Sequence, residues 1–139
     1  MKKIFGIILA LFVISGCGIT GNVVAENYVK IPLSSLSEKV QFYTLDDKGV
    51  EISYFVVLGS DGEVRTAFDA CDICSGEKGY RQEGSNIKCN NCGQTFDIDG
   101  LGTQNKGYGC WPSYLPHEIK GDNVLIKTED ILNGKKRFV

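Results

Sequence analysis

The sequence is short of basic clusters and of long apolar runs. Lysine and arginine number 15 against 17 acidic residues in a chain of 139, which gives a net charge of −2. The one basic cluster is Lys135-Lys136-Arg137 at the tail, so we expect no nucleic-acid partner, because such partners require a basic patch or stripe. The apolar segment Ile4 to Ile14 is shorter than the roughly 20 residues that a membrane-spanning helix needs.

The patterns that mark catalytic sites are also lacking. We find no nucleophile–base constellation, no pair of catalytic carboxylates and no phosphate-binding glycine loop. The glycine-rich stretch from Gly100 to Gly109 has no following helix and indicates a covering loop. We therefore expect an electron carrier or a metal-binding protein rather than an enzyme.

Cysteine is what the chain does have, with six residues. Four of them, Cys71, Cys74, Cys89 and Cys92, form two Cys-x-x-Cys pairs. A gap of two residues lets one turn direct both sulfurs at one ion, and residues 75–88 suffice for a hairpin that brings the second turn beside the first. Four thiolates in this pattern predict a metal or iron–sulfur site.

The cysteine spacing alone does not choose among several occupants. An iron–sulfur cluster, a structural zinc ion and copper or another soft metal all accept four thiolates, and paired cysteines outside the cytoplasm also form disulfides. Cys110 is a candidate additional ligand, a redox partner or a buried structural thiol. His117, the only histidine, is either a further ligand or a surface residue.

The N-terminal region predicts a lipid anchor. Residues 1–16 resemble a lipoprotein signal peptide, Cys17 is the expected lipidation site, and 17–26 form a tether to a domain at 27–139. The alternative is an uncleaved anchor in which Cys17 is incidental. Either way we expect attachment to the cell membrane on its extracytoplasmic side, periplasmic or extracellular. Lys2-Lys3 without a twin arginine indicates export of an unfolded chain, so a cluster would be inserted outside the cytoplasm.

The domain itself has a β pattern. Short runs rich in β-branched and aromatic residues alternate with turn residues, and no window shows a sustained helical period. The pattern predicts a mostly β fold, an antiparallel sandwich or barrel with two zinc-ribbon-like cysteine loops. The expected elements are an edge strand at Tyr28–Leu33, a helical turn at 36–39, a meander of strands at 40–45, 50–58 and 63–68, a short strand at 94–98, extended chain at 114–119 and 123–127, and a helix from 128 to 132 ended by Gly134.

The order of features from Gly62 to Ile126 resembles the cluster-binding region of Rieske proteins. A strand leads into the first ligand loop, a hairpin leads into the second, and Phe96-Asp97 and a proline-bearing loop follow. The chain departs from that pattern because all four ligand positions are cysteine, where Rieske loops carry two histidines. The resemblance implies a Rieske-like fold, and the all-cysteine set predicts a low potential that does not change with pH.

A closer resemblance is to the FtrD-like proteins, which are membrane-associated iron–sulfur proteins. It is carried by the runs Phe68-Asp69-Ala70-Cys71-Asp72-Ile73-Cys74, Ile87-Lys88-Cys89-Asn90-Asn91-Cys92-Gly93 and Gly109-Cys110-Trp111-Pro112. The last is a variant of the family's Gly-Gly-Cys-Asn-Pro. The resemblance covers residues 27–135 and implies a 2Fe–2S type of cluster on the four paired cysteines. Some family members occur with iron permeases, so it also implies a redox or permease partner in the membrane and a link to iron uptake.

Overall fold

The computed structural model describes residues 27–74, 78–107 and 109–139, and this part of the chain is mostly β. Ten strands form three antiparallel sheets, with the orders β1-β10-β9, β2-β3-β4-β8 and β5-β6-β7. The elements are β1 (Tyr28–Pro32), β2 (Gln41–Asp47), β3 (Val50–Leu58), β4 (Val64–Cys71), β5 (Tyr80–Glu83), β6 (Asn86–Cys89), β7 (Thr95–Asp97), β8 (Pro112–Tyr114), β9 (Glu118–Lys120), β10 (Asn123–Lys127) and α1 (Thr128–Asn133).

The four-stranded sheet forms the middle of the fold because its strands β3 and β4 bury side chains on both faces. Strands β2 and β3 are joined by a two-residue turn in which Lys48 and Gly49 have φ values of 56° and 84°, the left-handed conformation that a tight hairpin requires. Along β3, Tyr54 and Val56 belong to one core cluster, while Phe55 and Val57 belong to the other. A strand buried on both faces is a continuous apolar run rather than an alternating one.

The first core cluster lies between the middle sheet, the sheet of β1, β10 and β9, and helix α1. Its buried members are aliphatic and aromatic, and none of them is a cysteine. The helix ends at Gly134, which stands against the ring of Phe68. The buried members are Ile31, Leu36, Ile52, Tyr54, Val56, Val64, Phe68, Ala70, Leu115, Val124, Ile126 and Ile131.

The second core cluster holds the sheet of β5, β6 and β7 against the opposite face. It contains Cys71 and Cys89 beside apolar residues of both sheets. Gln82 on β5 links this sheet to the segment that precedes β2. Its Oε1 accepts from the backbone N of Val40 at 2.8 Å, and its Nε2 donates to the carbonyl of Glu38 at 2.8 Å. The β5–β6 hairpin, which leads into the second ligand loop, is thereby fixed to the segment that leads into β2 of the middle sheet.

Most of the expected elements are present. The mostly β, antiparallel class, the meander, the edge position of β1 and the helix ended by Gly134 are confirmed, and the described residues form no closed barrel. The helical turn expected at 36–39 is wrong: a 3₁₀ turn occupies Leu33–Ser35 instead, directly after Pro32, and Leu36 is extended. No helix within the described ranges is long and apolar enough to cross a membrane. The likeness to Rieske proteins stays a prediction.

Candidate metal centre

The first cysteine loop is a tight turn at the end of β4. Cys71 is the last residue of the strand and Cys74 follows after one turn. The backbone N of Ile73 donates to the Cys71 sulfur at 3.4 Å. The backbone N of Asp72 donates to the carbonyl of Trp111 at 3.0 Å. The loop is therefore fixed both within itself and to the segment that carries Cys110.

The second loop has a similar construction at the end of β6. Cys89 is the last residue of this strand, and its carbonyl accepts from the backbone N of Gly93 at 2.9 Å. Gly93 has a φ of 75°, a conformation that only glycine adopts at little cost. Asn90 donates its backbone N to the carbonyl of Gly79 at 2.9 Å, which joins the loop to the start of β5 and aims Cys92 towards the first loop.

The thiols of the two loops meet in two overlapping groups. The sulfurs of Cys71, Cys74 and Cys110 lie within 4.8 Å of one another, and so do those of Cys74, Cys89 and Cys92. Two thiolates on one tetrahedral ion with 2.3 Å bonds lie about 3.8 Å apart. The expected hairpin geometry is confirmed, and the sulfurs are close enough to share a metal centre.

The structure brings Cys110 into this patch. Its sulfur lies 3.7 Å from that of Cys74 and 3.5 Å from that of Cys92. Its neighbour Trp111 packs edge-on against Phe96 with the ring centroids 5.5 Å apart and donates Nε1 to the carbonyl of Thr103 at 2.9 Å. The covering loop is thus anchored by a tryptophan, and the thiol beside it reaches both cysteine pairs.

The five described cysteines form no disulfide, and their thiols differ in pKa. Burial raises the pKa of Cys71, but backbone N–H groups outweigh it and hold that pKa below the ordinary value. The backbone N–H of Gln94 lowers the pKa of Cys92. A hydrogen bond with Cys110 lowers the pKa of Cys74, yet desolvation and the neighbouring thiols raise it to about 11. The Cys92 contact raises the pKa of Cys110. Metal binding would therefore displace a firmly held proton from Cys74, whereas Cys71 and Cys92 release theirs more readily.

The structure places His117 away from the cysteines. Its Nδ1 lies 2.8 Å from Oγ1 of Thr66, which also contacts the carbonyl of Leu115 at 2.6 Å. Because that hydroxyl has one proton to donate, the pair of bonds fits an imidazole protonated at Nδ1. Thr66 precedes Cys71 by five residues on β4, about 16 Å along a strand. Neither of the two thiol groups includes His117.

The environment of His117 predicts that the protein loses stability as the pH falls from 7.5 to 5. Burial, and then the charge of Arg65, lower the folded-state pKa of His117, while the unfolded value is about 6.5. The unfolded chain therefore binds more protons in this window, and the free energy of unfolding decreases as the pH falls. Asp69, whose pKa burial raises to about 6, acts in the opposite direction. The measurement is thus the difference between wild type and His117→Gln in urea unfolding at each pH. If the free energy of unfolding changes with pH by the same slope in both proteins, the prediction is contradicted.

Comparison with models of known protein families identifies the family of this chain. The model described as "Membrane iron-sulfur containing protein FtrD-like" matches residues 36–138, which is more than half of the chain and includes all five thiols of the centre. The chain belongs to the FtrD-like family. The resemblance drawn from the cysteine loops is confirmed. A comparison with curated proteins finds no match to this FtrD-like chain.

The donor set of this FtrD-like protein fits an iron–sulfur group. Such clusters are held by cysteine thiolates, commonly four, and the two loops bring that number together with a fifth beside them. The donors by themselves do not distinguish an iron–sulfur cluster from a zinc ion, since zinc accepts the same thiolates. The predicted signal peptide, the tether and Cys17 lie outside the described residues.

Proposed function

We propose that this FtrD-like protein carries single electrons through an iron–sulfur centre held by Cys71, Cys74, Cys89 and Cys92. The observation that supports it is the meeting of the two Cys-x-x-Cys loops, with sulfurs within 4.8 Å in groups that share Cys74. A bound cluster supplies one-electron redox chemistry. The chain's own residues hold it, exclude water from one side and leave the other side accessible.

The uneven burial of the thiols supports electron transfer to a partner. Cys71 and Cys89 are buried in the second core cluster, while Cys74 is partly exposed and Cys92 is exposed. Ile73, between the first two cysteines, is 67% exposed. A centre with one accessible edge beside an apolar side chain lets a redox protein approach closely, whereas a purely structural metal needs no such access.

The setting of the proposed function is the outer face of the membrane. It rests on the predicted lipid anchor at Cys17 and on the family's description as membrane proteins. Its extension to iron uptake beside a membrane permease or redox partner rests on the family resemblance alone. In this setting the protein is a carrier rather than an enzyme.

Metal and sulfide analysis of the full-length protein tests this proposal. Protein purified without oxygen should contain about two irons and two sulfides per chain and should give an EPR signal on reduction with dithionite. An all-thiolate ligand set predicts a midpoint potential of about −400 mV that is constant between pH 6 and 9. One zinc or copper per chain without sulfide would overturn it.

Cys110 supports a second function, the binding and transfer of copper, iron or zinc. One tetrahedral ion uses four thiolates, and the fifth thiol lies 3.7 Å and 3.5 Å from one member of each pair. A spare ligand allows an ion to be passed by exchange of one thiolate for another. A carrier should lose its metal to a chelator within minutes, whereas a structural zinc domain should unfold when stripped.

A further inference from the structure

Two buried hydrogen-bond donors at the metal centre have no partner. Within the described ranges, the buried side-chain polar atoms without a hydrogen bond are Oη of Tyr80 and Nδ2 of Asn91. Tyr80 is directly opposite Cys89 in the β5–β6 pairing, and Asn91 lies between Cys89 and Cys92. An unpaired buried donor costs about 1–3 kcal/mol, so two of them in one place indicate an acceptor that belongs there.

The packing around Tyr80 fixes the position of its hydroxyl. The side chain is 5% exposed, and its ring is contacted edge-on by Phe55 and Phe96, each with centroids 6.2 Å away. Its backbone N donates to Oδ1 of Asp69 at 2.6 Å. The ring therefore cannot turn towards water, and the hydroxyl stays in the second core cluster with Cys71 and Cys89.

The sulfurs of Cys71 and Cys89 share the second core cluster with this side chain. Burial, followed by the Cys71 thiol and then those of Cys89 and Cys110, raises the pKa of Tyr80. The phenol thus keeps its proton and remains a donor at every physiological pH. A thiol is a weak acceptor, but a thiolate that ligates a metal carries negative charge and accepts strongly.

We propose that the hydroxyl of Tyr80 and the amide of Asn91 donate hydrogen bonds to the sulfurs of the loaded centre, with Cys71 as the acceptor of Tyr80. The inference rests on the proposed iron–sulfur function for its redox consequence. Hydrogen bonds to cluster sulfurs stabilise the more negative, reduced state and raise the potential. Tyr80 and Asn91 are thus positioning residues that offset part of the effect of four thiolates.

The Tyr80→Phe variant of the full-length protein tests this directly. With iron and sulfide contents equal to wild type, the midpoint potential should fall by about 59 mV, the equivalent of a tenfold change in a one-electron equilibrium. The matched control is Tyr54→Phe, a buried tyrosine of the first core cluster, which should leave the potential unchanged. A fully loaded Tyr80→Phe protein with the wild-type potential would overturn the inference.

A redox-independent measurement separates this inference from the proposed function. Tyr80→Phe should bind Zn²⁺ about tenfold more weakly, since loss of a group that supports the ligands typically costs 10–100-fold in affinity. Without metal, its free energy of unfolding should equal or exceed that of wild type, because an unpaired hydroxyl has been removed. Unchanged zinc affinity would overturn the hydrogen bond even if no cluster is found. If Tyr80→Phe fails to fold, Asn91→Ala, in a partly exposed loop, is held to the same two measurements.

Discussion

Replacing Cys89 with serine is expected to abolish the iron–sulfur absorption of the protein. Cys89 is 1% exposed, and it ends β6 with its backbone N bonded to the carbonyl of Gln94 at 2.8 Å. Cys110, the fifth thiol of the patch, lies beside Cys74 and Cys92 rather than at the end of β6, so we expect it not to replace Cys89. A serine hydroxyl is a poor ligand for soft metals and would itself be buried. Visible absorption and iron content per chain measure the loss.

The matched control for Cys89→Ser is Cys110→Ser. Both remove one thiol of the same patch, but only Cys89 belongs to the proposed four-ligand set. Cys110→Ser should keep wild-type iron and sulfide, and a loss of both would make Cys110 a ligand. A wild-type spectrum from Cys89→Ser would show that the ligand set is wrong. Far-UV circular dichroism of both variants confirms that the sheets remain folded.

The Gly134→Ala substitution should cause a large loss of stability. A Cβ at this position would overlap Cε1 and Cζ of Phe68. That ring cannot move aside easily. The ring of Phe138 packs on it with the centroids 6.4 Å apart, and the Arg137 guanidinium lies 5.3 Å from the Phe68 centroid. Overpacking of this kind costs about 1–3 kcal/mol, and we expect the upper part of that range.

Urea unfolding of the metal-free protein measures this cost. Gly100→Ala is the control, since a Cβ there meets no atom within 4 Å, and its unfolding midpoint should match wild type. Gly134 packs against Phe68 of the first core cluster, which contains no cysteine, so the folded fraction of Gly134→Ala should still load iron. Equal midpoints for the two glycine variants would show that the Phe68 ring yields to the added methyl group.

Local signals in the sequence account for most of the correct predictions. The turn at Lys48-Gly49 and the β-branched strands around it predicted the meander, and Pro32 predicted an edge strand because it cannot donate to a ladder. The two Cys-x-x-Cys pairs predicted that their loops would meet, since a hairpin is a short-range structure. Each of these features depends on residues that are near one another in the chain.

Two further features depend on contacts between distant residues. The segment from Tyr114 to Ile119 was expected as one extended stretch, but its ends pair in different sheets, with Tyr114 opposite Ala67 on β4 and Ile119 opposite Val124 on β10. Pro116 has no N–H to continue a ladder between them. The proximity of Cys110 to Cys74, 36 residues earlier, comes from an aperiodic loop, so periodicity and spacing do not predict it; Cys110 became a candidate ligand through the run Gly109-Cys110-Trp111-Pro112, which resembles that of the family.

The division of the interior into two core clusters has a consequence for maturation. The first cluster contains only apolar side chains, while the cysteines lie in and beside the second. The chain can therefore assemble its larger apolar half before any metal arrives, because no thiol takes part in the first cluster. Folding and cofactor delivery become separate events in time. Whatever supplies the cofactor would then bind a structured protein rather than an unfolded chain.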